Sequence, residues 1–181
     1  EAARLAKADQ ASELVREFPE LEGHVGAEYA RLAGYPEAVC AAIDEQYLPD
    51  AADAPLPTTE TGRVLSAADK IDTLNVSFEL GQRPTGSRDP YGLRRAAIGL
   101  GRLATEGNLM VPRELMDPDV DEFVEERFEG LLTAPVEFVR AARKAPVRDL
   151  GGVARLAEAL AALPDERLGP IHTAYTRASR L

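Results

Sequence analysis

Between residues 81 and 102 the chain carries Arg83, Arg88, Arg94, Arg95 and Arg102 against a single acid, Asp89, although its net charge is −10. A planar guanidinium offers a fork of N–H donors that matches phosphate oxygens. Inside the same window Thr85-Gly86-Ser87 can add hydroxyl and backbone N–H donors beside an expected helix start. This is where a polyanionic partner would land. A structural reading of the same residues stands beside it: Arg94 tied to Asp69 or Asp72, and the Pro84–Ser87 turn simply packed.

Other chemistry is sparse. There is no GxxxxGK[ST] phosphate loop, no GxGxxG on a strand–helix pattern and no GxSxG elbow. His24 and His172 are far apart, and neither has a second histidine at ligand spacing. Cys40 is alone, which removes an internal disulfide or a cysteine zinc cage; it reads as a small buried apolar residue of a reducing compartment.

The elements that must position these residues read as helices throughout, giving an all-α fold. Ala, Leu, Glu and Arg dominate, and prolines fall where helices start. Helices are expected over 2–18, with Leu5, Ala8, Val15 and Phe18 inward, and over 26–33, 36–47 and 60–80. In the last, Val64, Ala67, Ala68, Ile71, Leu74 and Phe78 share one arc, with Asp69 and Asp72 at its border. Residues 49–59 read as a loop. Asp89 and Pro90 predict an N-cap and first residue for a helix burying Leu93, Ala96, Ala97, Leu100, Leu103 and Ala104. Arg95 and Arg102 would then face solvent. Further helices are expected over 119–132, 136–144, 149–163 and 169–180. The break at 108–118 divides a helical domain of residues 1–110 from a second helical module, 118–181.

At 45% hydrophobic and 29% charged the chain can bury a core. No run approaches the roughly 20 apolar residues a membrane crossing needs, and none reads as a signal peptide, so a cytoplasmic setting is expected. The start in a helical pattern without an initiator Met suggests a segment of a longer protein.

The run Ala67-Ala68-Asp69-Lys70-Ile71-Asp72-Thr73-Leu74, followed by Gly81-Gln82-Arg83-Pro84-Thr85-Gly86-Ser87-Arg88-Asp89-Pro90-Tyr91-Gly92-Leu93-Arg94-Arg95-Ala96-Ala97, resembles the β subunit of bacterial glycyl-tRNA synthetase. Tyr91 replaces that family's Phe. Three other stretches are similar to it in order: Leu5–Asp9 with Leu14–Gly23, Ile43–Pro49, and Thr173–Ala178. Residues 108–145 match only loosely.

The resemblance implies an HD-domain-like helical bundle followed by a smaller helical module that leads towards an anticodon-binding domain. It implies a partner α subunit, in a heterotetramer, that builds most of the aminoacylation site, and ATP and Mg²⁺ as requirements of the whole enzyme. For this segment it implies no catalytic residue, no metal and no cofactor of its own. The expected tRNA(Gly) contacts are Arg83, Ser87, Arg88, Arg94, Arg95 and Arg102. Asp69 resembles the last aspartate of an HD metal set whose histidines have no counterpart; Phe18-Pro19 stand where His-Asp would be. Two alternatives follow: a metal-dependent HD-type phosphohydrolase, which one carboxylate does not support, and a purely structural interaction module.

Overall fold

The computed structural model describes residues 1–164, 166–170 and 173. Among them every regular element is helical: α1 (Ala2–Leu5), α2 (Glu13–Glu17), α3 (His24–Leu32), α4 (Glu37–Glu45), α5 (Glu60–Glu79), α6 (Leu93–Thr105), α7 (Pro118–Phe128), α8 (Val136–Lys144) and α9 (Leu150–Ala161), with short 3₁₀ turns between some of them. The expected all-α class is what the chain adopts. The expected helix over 169–180, the Thr173–Ala178 resemblance and His172 lie largely or wholly outside the described residues.

Local chemistry sets most boundaries. Ser12, Thr59 and Asp149 accept the N–H groups of Val15, Gly62 and Gly152 and cap α2, α5 and α9, and Pro118 opens α7. The helix expected over 2–18 is broken instead. A 3₁₀ turn over Ala8–Ala11 carries Asp9 inward, and its buried carboxylate accepts from Gly23 N–H (2.8 Å) and Gly26 N–H (3.1 Å) at the start of α3. Phe18, expected in the core, is exposed. Those tertiary bonds outweigh one more turn of helix.

The apolar residues form two cores. The smaller joins Ala2, Ala6, Ala27, Ala30, Cys40, Ala42, Ile43 and Leu65. The larger runs without a break from Ile71, Leu74 and Phe78 of α5 through Leu93, Leu100 and Leu103 of α6 to Val124, Phe128, Val139 and Val153. The 108–118 loop turns the chain without dividing this core. Helix α5 belongs to both cores, so its buried face is wider than a single stripe. It is also rotated from the expected arc: Val64 is 53% exposed, whereas Ser66, Lys70 and Ser77 are buried. The polar members have partners. Lys70 Nζ donates to the carbonyls of Tyr47 (3.1 Å) and Leu48 (3.2 Å) and to Ser66 Oγ (3.0 Å), and Ser66 Oγ donates to Leu48 O. Glu45 fastens the same junction through Thr58 and Thr59. Burial raises that carboxyl, but these hydrogen bonds outweigh it and hold Glu45 below its ordinary value.

Candidate nucleic-acid interface

Thr85 and Arg88 exchange both backbone hydrogen bonds, at 3.1 and 2.9 Å, closing a tight turn with Gly86 at φ +52°. From the first turn of α6, Arg94 Nη2 donates to Gly86 O at 2.6 Å. Arg94 therefore braces this turn; it is paired with neither Asp69 nor Asp72. The Asp89 carboxylate accepts from Leu93 N–H (2.8 Å) and Arg94 N–H (2.9 Å). The helix starts at Leu93, not Pro90, because Gly92 takes the left-handed conformation at φ +66° and sets the chain back one turn from its cap. Two of the free N–H groups at the start of α6 are thus already taken by a carboxylate.

The arginines of the window divide into two groups. Arg102 does not face solvent: its side chain is 11% exposed, paired with Glu106 at 2.8 Å and donating to Ala54 O at 2.7 Å. The 49–59 loop folds over it, a contact 48 residues away in sequence. Arg83 pairs with Asp119 and stacks 4.8 Å from the Phe78 ring centroid, joining the loop to α7. Ser87, Arg88 and Arg95 are exposed. Among the described residues the ion pairs of this window belong to Arg83 and Arg102, and Arg88 and Arg95 form none. The Arg95 guanidinium lies against Gly92, where a Cβ would come within 2.8 Å of Nη2.

Tyr91, Gly92 and Arg95 line one side of a cleft of about 300 Å³ whose other walls include Asp50, Asp69 and Thr73. Its floor is a closed network. The Lys7 ammonium lies 2.6 Å from Asp69 Oδ1 and 4.1 Å from the centroid of the Tyr47 ring. The Tyr47 hydroxyl donates to Glu22, which also accepts from Gln10. Burial, together with the Glu22 carboxylate, pushes the Tyr47 phenol well above its ordinary value. Lys70 closes the bottom, and burial lowers its ammonium to about 8. Among the described residues no three His, Cys, Asp or Glu side chains converge as metal ligands would, and the partner of Asp69 is an ammonium. Lys7, Tyr47, Tyr91 and Asp50 were not legible as members of one site. Lys7 and Tyr47 stood out only as letters in stretches of family resemblance.

No helix among the described residues is long and apolar enough to cross a membrane.

The family description "Glycyl-tRNA synthetase beta subunit" matches residues 1–161. Over 184 residues, covering 89% of this chain, it is 41% identical to the glycine–tRNA ligase beta subunit of Azotobacter vinelandii. It is 41% identical over 172 residues, 90% of the chain, to that of Acinetobacter baylyi. Against that of Nitratidesulfovibrio vulgaris it is 52% identical over 115 residues, 63% of the chain. These matches span 27%, 24% and 16% of the respective relatives, so the chain corresponds to about a quarter of their length or less. With the family matched across nearly all of its described helices, this chain belongs to the glycyl-tRNA synthetase β subunit family.

Proposed function

We propose that this chain is a tRNA-holding part of a glycine–tRNA ligase, gripping tRNA(Gly) phosphates through the Ser87–Arg88 tip and Arg95. The observation that carries the reading is the division of the basic window. Arg94 and Arg102 are held by protein partners and Arg83 sits in an exposed pair with Asp119, while Arg88 and Arg95 stay exposed and without an ion pair among the described residues. Exposed guanidiniums without a protein partner remain available to meet an anion. In this reading the aminoacylation chemistry, with ATP and Mg²⁺, belongs to the partner α subunit. Residues 1–110 are an HD-like bundle in which Lys7 takes the charge-balancing place of a metal beside Asp69. The continuous core from α5 to α9 serves as a rigid spacer.

The test is tRNA(Gly) binding by the assembled enzyme. Arg88→Ala with Arg95→Ala should weaken binding at least about ten-fold and reduce the slope of log affinity against log salt by roughly 1.4–1.8, the yield of two phosphate contacts. Unchanged affinity and slope would remove the assignment. For the spacer role, capture of the α subunit by this chain is expected, and its absence counts against an interface here.

A further inference from the structure

The cleft beside Arg95 differs in kind from the exposed tip at Arg88. Its floor is committed: Lys7 to Asp69 and Tyr47, Lys70 to two carbonyls and Ser66. Its mouth is not. Tyr91 is 55% exposed, Arg95 forms no ion pair among the described residues, and neither does Asp50. Thr73 completes the wall. A volume of about 300 Å³ lies at the small end of ligand sites (~300–1,000 Å³), the size of one nucleotide rather than a longer segment. A half-exposed aromatic ring, a free guanidinium and an acceptor-only carboxylate around one cleft are complementary to one ligand class: a planar base with an exocyclic amine, carrying a phosphate.

We infer that this cleft receives a single unstacked nucleotide, its base on the Tyr91 ring, its phosphate on Arg95 and its exocyclic amine facing Asp50. The inference rests on the RNA-binding reading above and assigns it a point of base recognition. Stacking on an aromatic tolerates any base, whereas a carboxylate accepts only from a donor edge. Where cytosine places its N4 amine uracil places the O4 acceptor, which offers a carboxylate no proton, so cytosine is preferred over uracil.

The probes are CMP, UMP and ribose 5-phosphate, titrated into the 181-residue chain while its amide resonances are followed by NMR; circular dichroism verifies the helix content of each variant. CMP should shift the amides of Thr73, Gly92 and Arg95, and bind more tightly than UMP. Tyr91→Leu should weaken CMP roughly five- to a hundred-fold, Arg95→Gln should weaken both nucleotides and ribose 5-phosphate, and Asp50→Ala should abolish the CMP preference while leaving UMP unchanged. Equal shifts by ribose 5-phosphate and CMP, or CMP binding indifferent to Tyr91→Leu, overturns the inference. CMP silence with tRNA still held through Arg88 removes the base pocket and leaves the surface; CMP binding without any tRNA effect at Arg88 does the reverse.

Discussion

The Lys7 ammonium sits between the Asp69 carboxylate, at 2.6 Å, and the face of Tyr47, at 4.1 Å from its centroid. One cation thus ties the first turn of the chain to the middle of α5. The charge that opposes this carboxylate is built into the sequence, 62 residues upstream.

Removing that cation should be felt modestly, because Lys7 is 44% exposed and solvent screens the pair. Lys7→Ala is expected to cost about 1–2 kcal/mol, combining a partly exposed ion pair and a cation–π contact. Thermal melting should fall by roughly 2–8 °C. Mn²⁺ titration by calorimetry should give no stoichiometric binding to the wild type; a tight one-to-one site would restore the hydrolase reading.

Arg102 and Arg88 should part company. Arg102→Ala removes the bridge to Ala54 O and Glu106 and is expected to lower the melting temperature while leaving the salt dependence of tRNA binding unchanged. Arg88→Ala should do the opposite: stability within about 0.5 kcal/mol, and a shallower salt slope.

Lys70 gives a pH signature. Burial lowers its ammonium from 10.5 to about 8, so between those values the unfolded chain binds a proton that the folded chain releases. Unfolding free energy therefore rises with pH across that window, by on the order of 2–3 kcal/mol. Denaturant titrations of the wild type and Lys70→Met at pH 7.5 and 10 should show the gap closing in the wild type's favour at the higher pH. A gap that does not move with pH would mean the three acceptors keep the amine charged throughout.

In α7 the buried Glu125 is held by Arg113 (2.9 Å), from the turn before that helix, and by Arg143 (3.1 Å) of α8, and burial lifts its carboxyl above the ordinary value despite both guanidiniums. Arg113→Ala leaves this charge underpaired and also strands Asp121. The expected loss is about 3 kcal/mol, against less than about 0.5 kcal/mol for the exposed Arg140→Ala. Chemical denaturation measures both.

At Gly101 a Cβ would meet Leu131 Cδ1 at 2.7 Å and Phe128 Cδ2 at 2.8 Å. Phe128 is fully buried and cannot retreat. Gly101→Ala should therefore destabilise by about 1–2 kcal/mol through overpacking, although the same change on an open helix would gain about 1 kcal/mol.

The sequence made the helices legible where their causes are local: apolar periodicity in α6, proline at the start of α7, and the uninterrupted run of α8. It misled where distant groups decide. Nothing near Asp9 announces that its carboxylate serves Gly23 and Gly26, yet that contact breaks the first helix. The arc chosen for α5 favoured Val64 over Ser66 and Lys70 because apolar type stood in for burial; the polar pair is buried by carbonyls from the end of α4, which a helical wheel does not contain. Arg102 looked free because the 49–59 loop that covers it is remote in sequence. Of the basic window, the charge reversal was readable, while the division between bracing and exposed arginines was not, since it depends on the fold of the turn that aims Gly86 O at Arg94 and on Ala54 and Asp119 arriving from outside the window.

The unbroken packing from α5 to α9 also governs how the molecule comes apart. Because α5 contributes to both cores and α6 is covered by α7 and α9, a protease cut within 108–118 would not release two independently folded halves. It would leave each half with a bare apolar face. Equilibrium unfolding should accordingly proceed as one cooperative transition, with the helices on either side of that loop losing amide-exchange protection together.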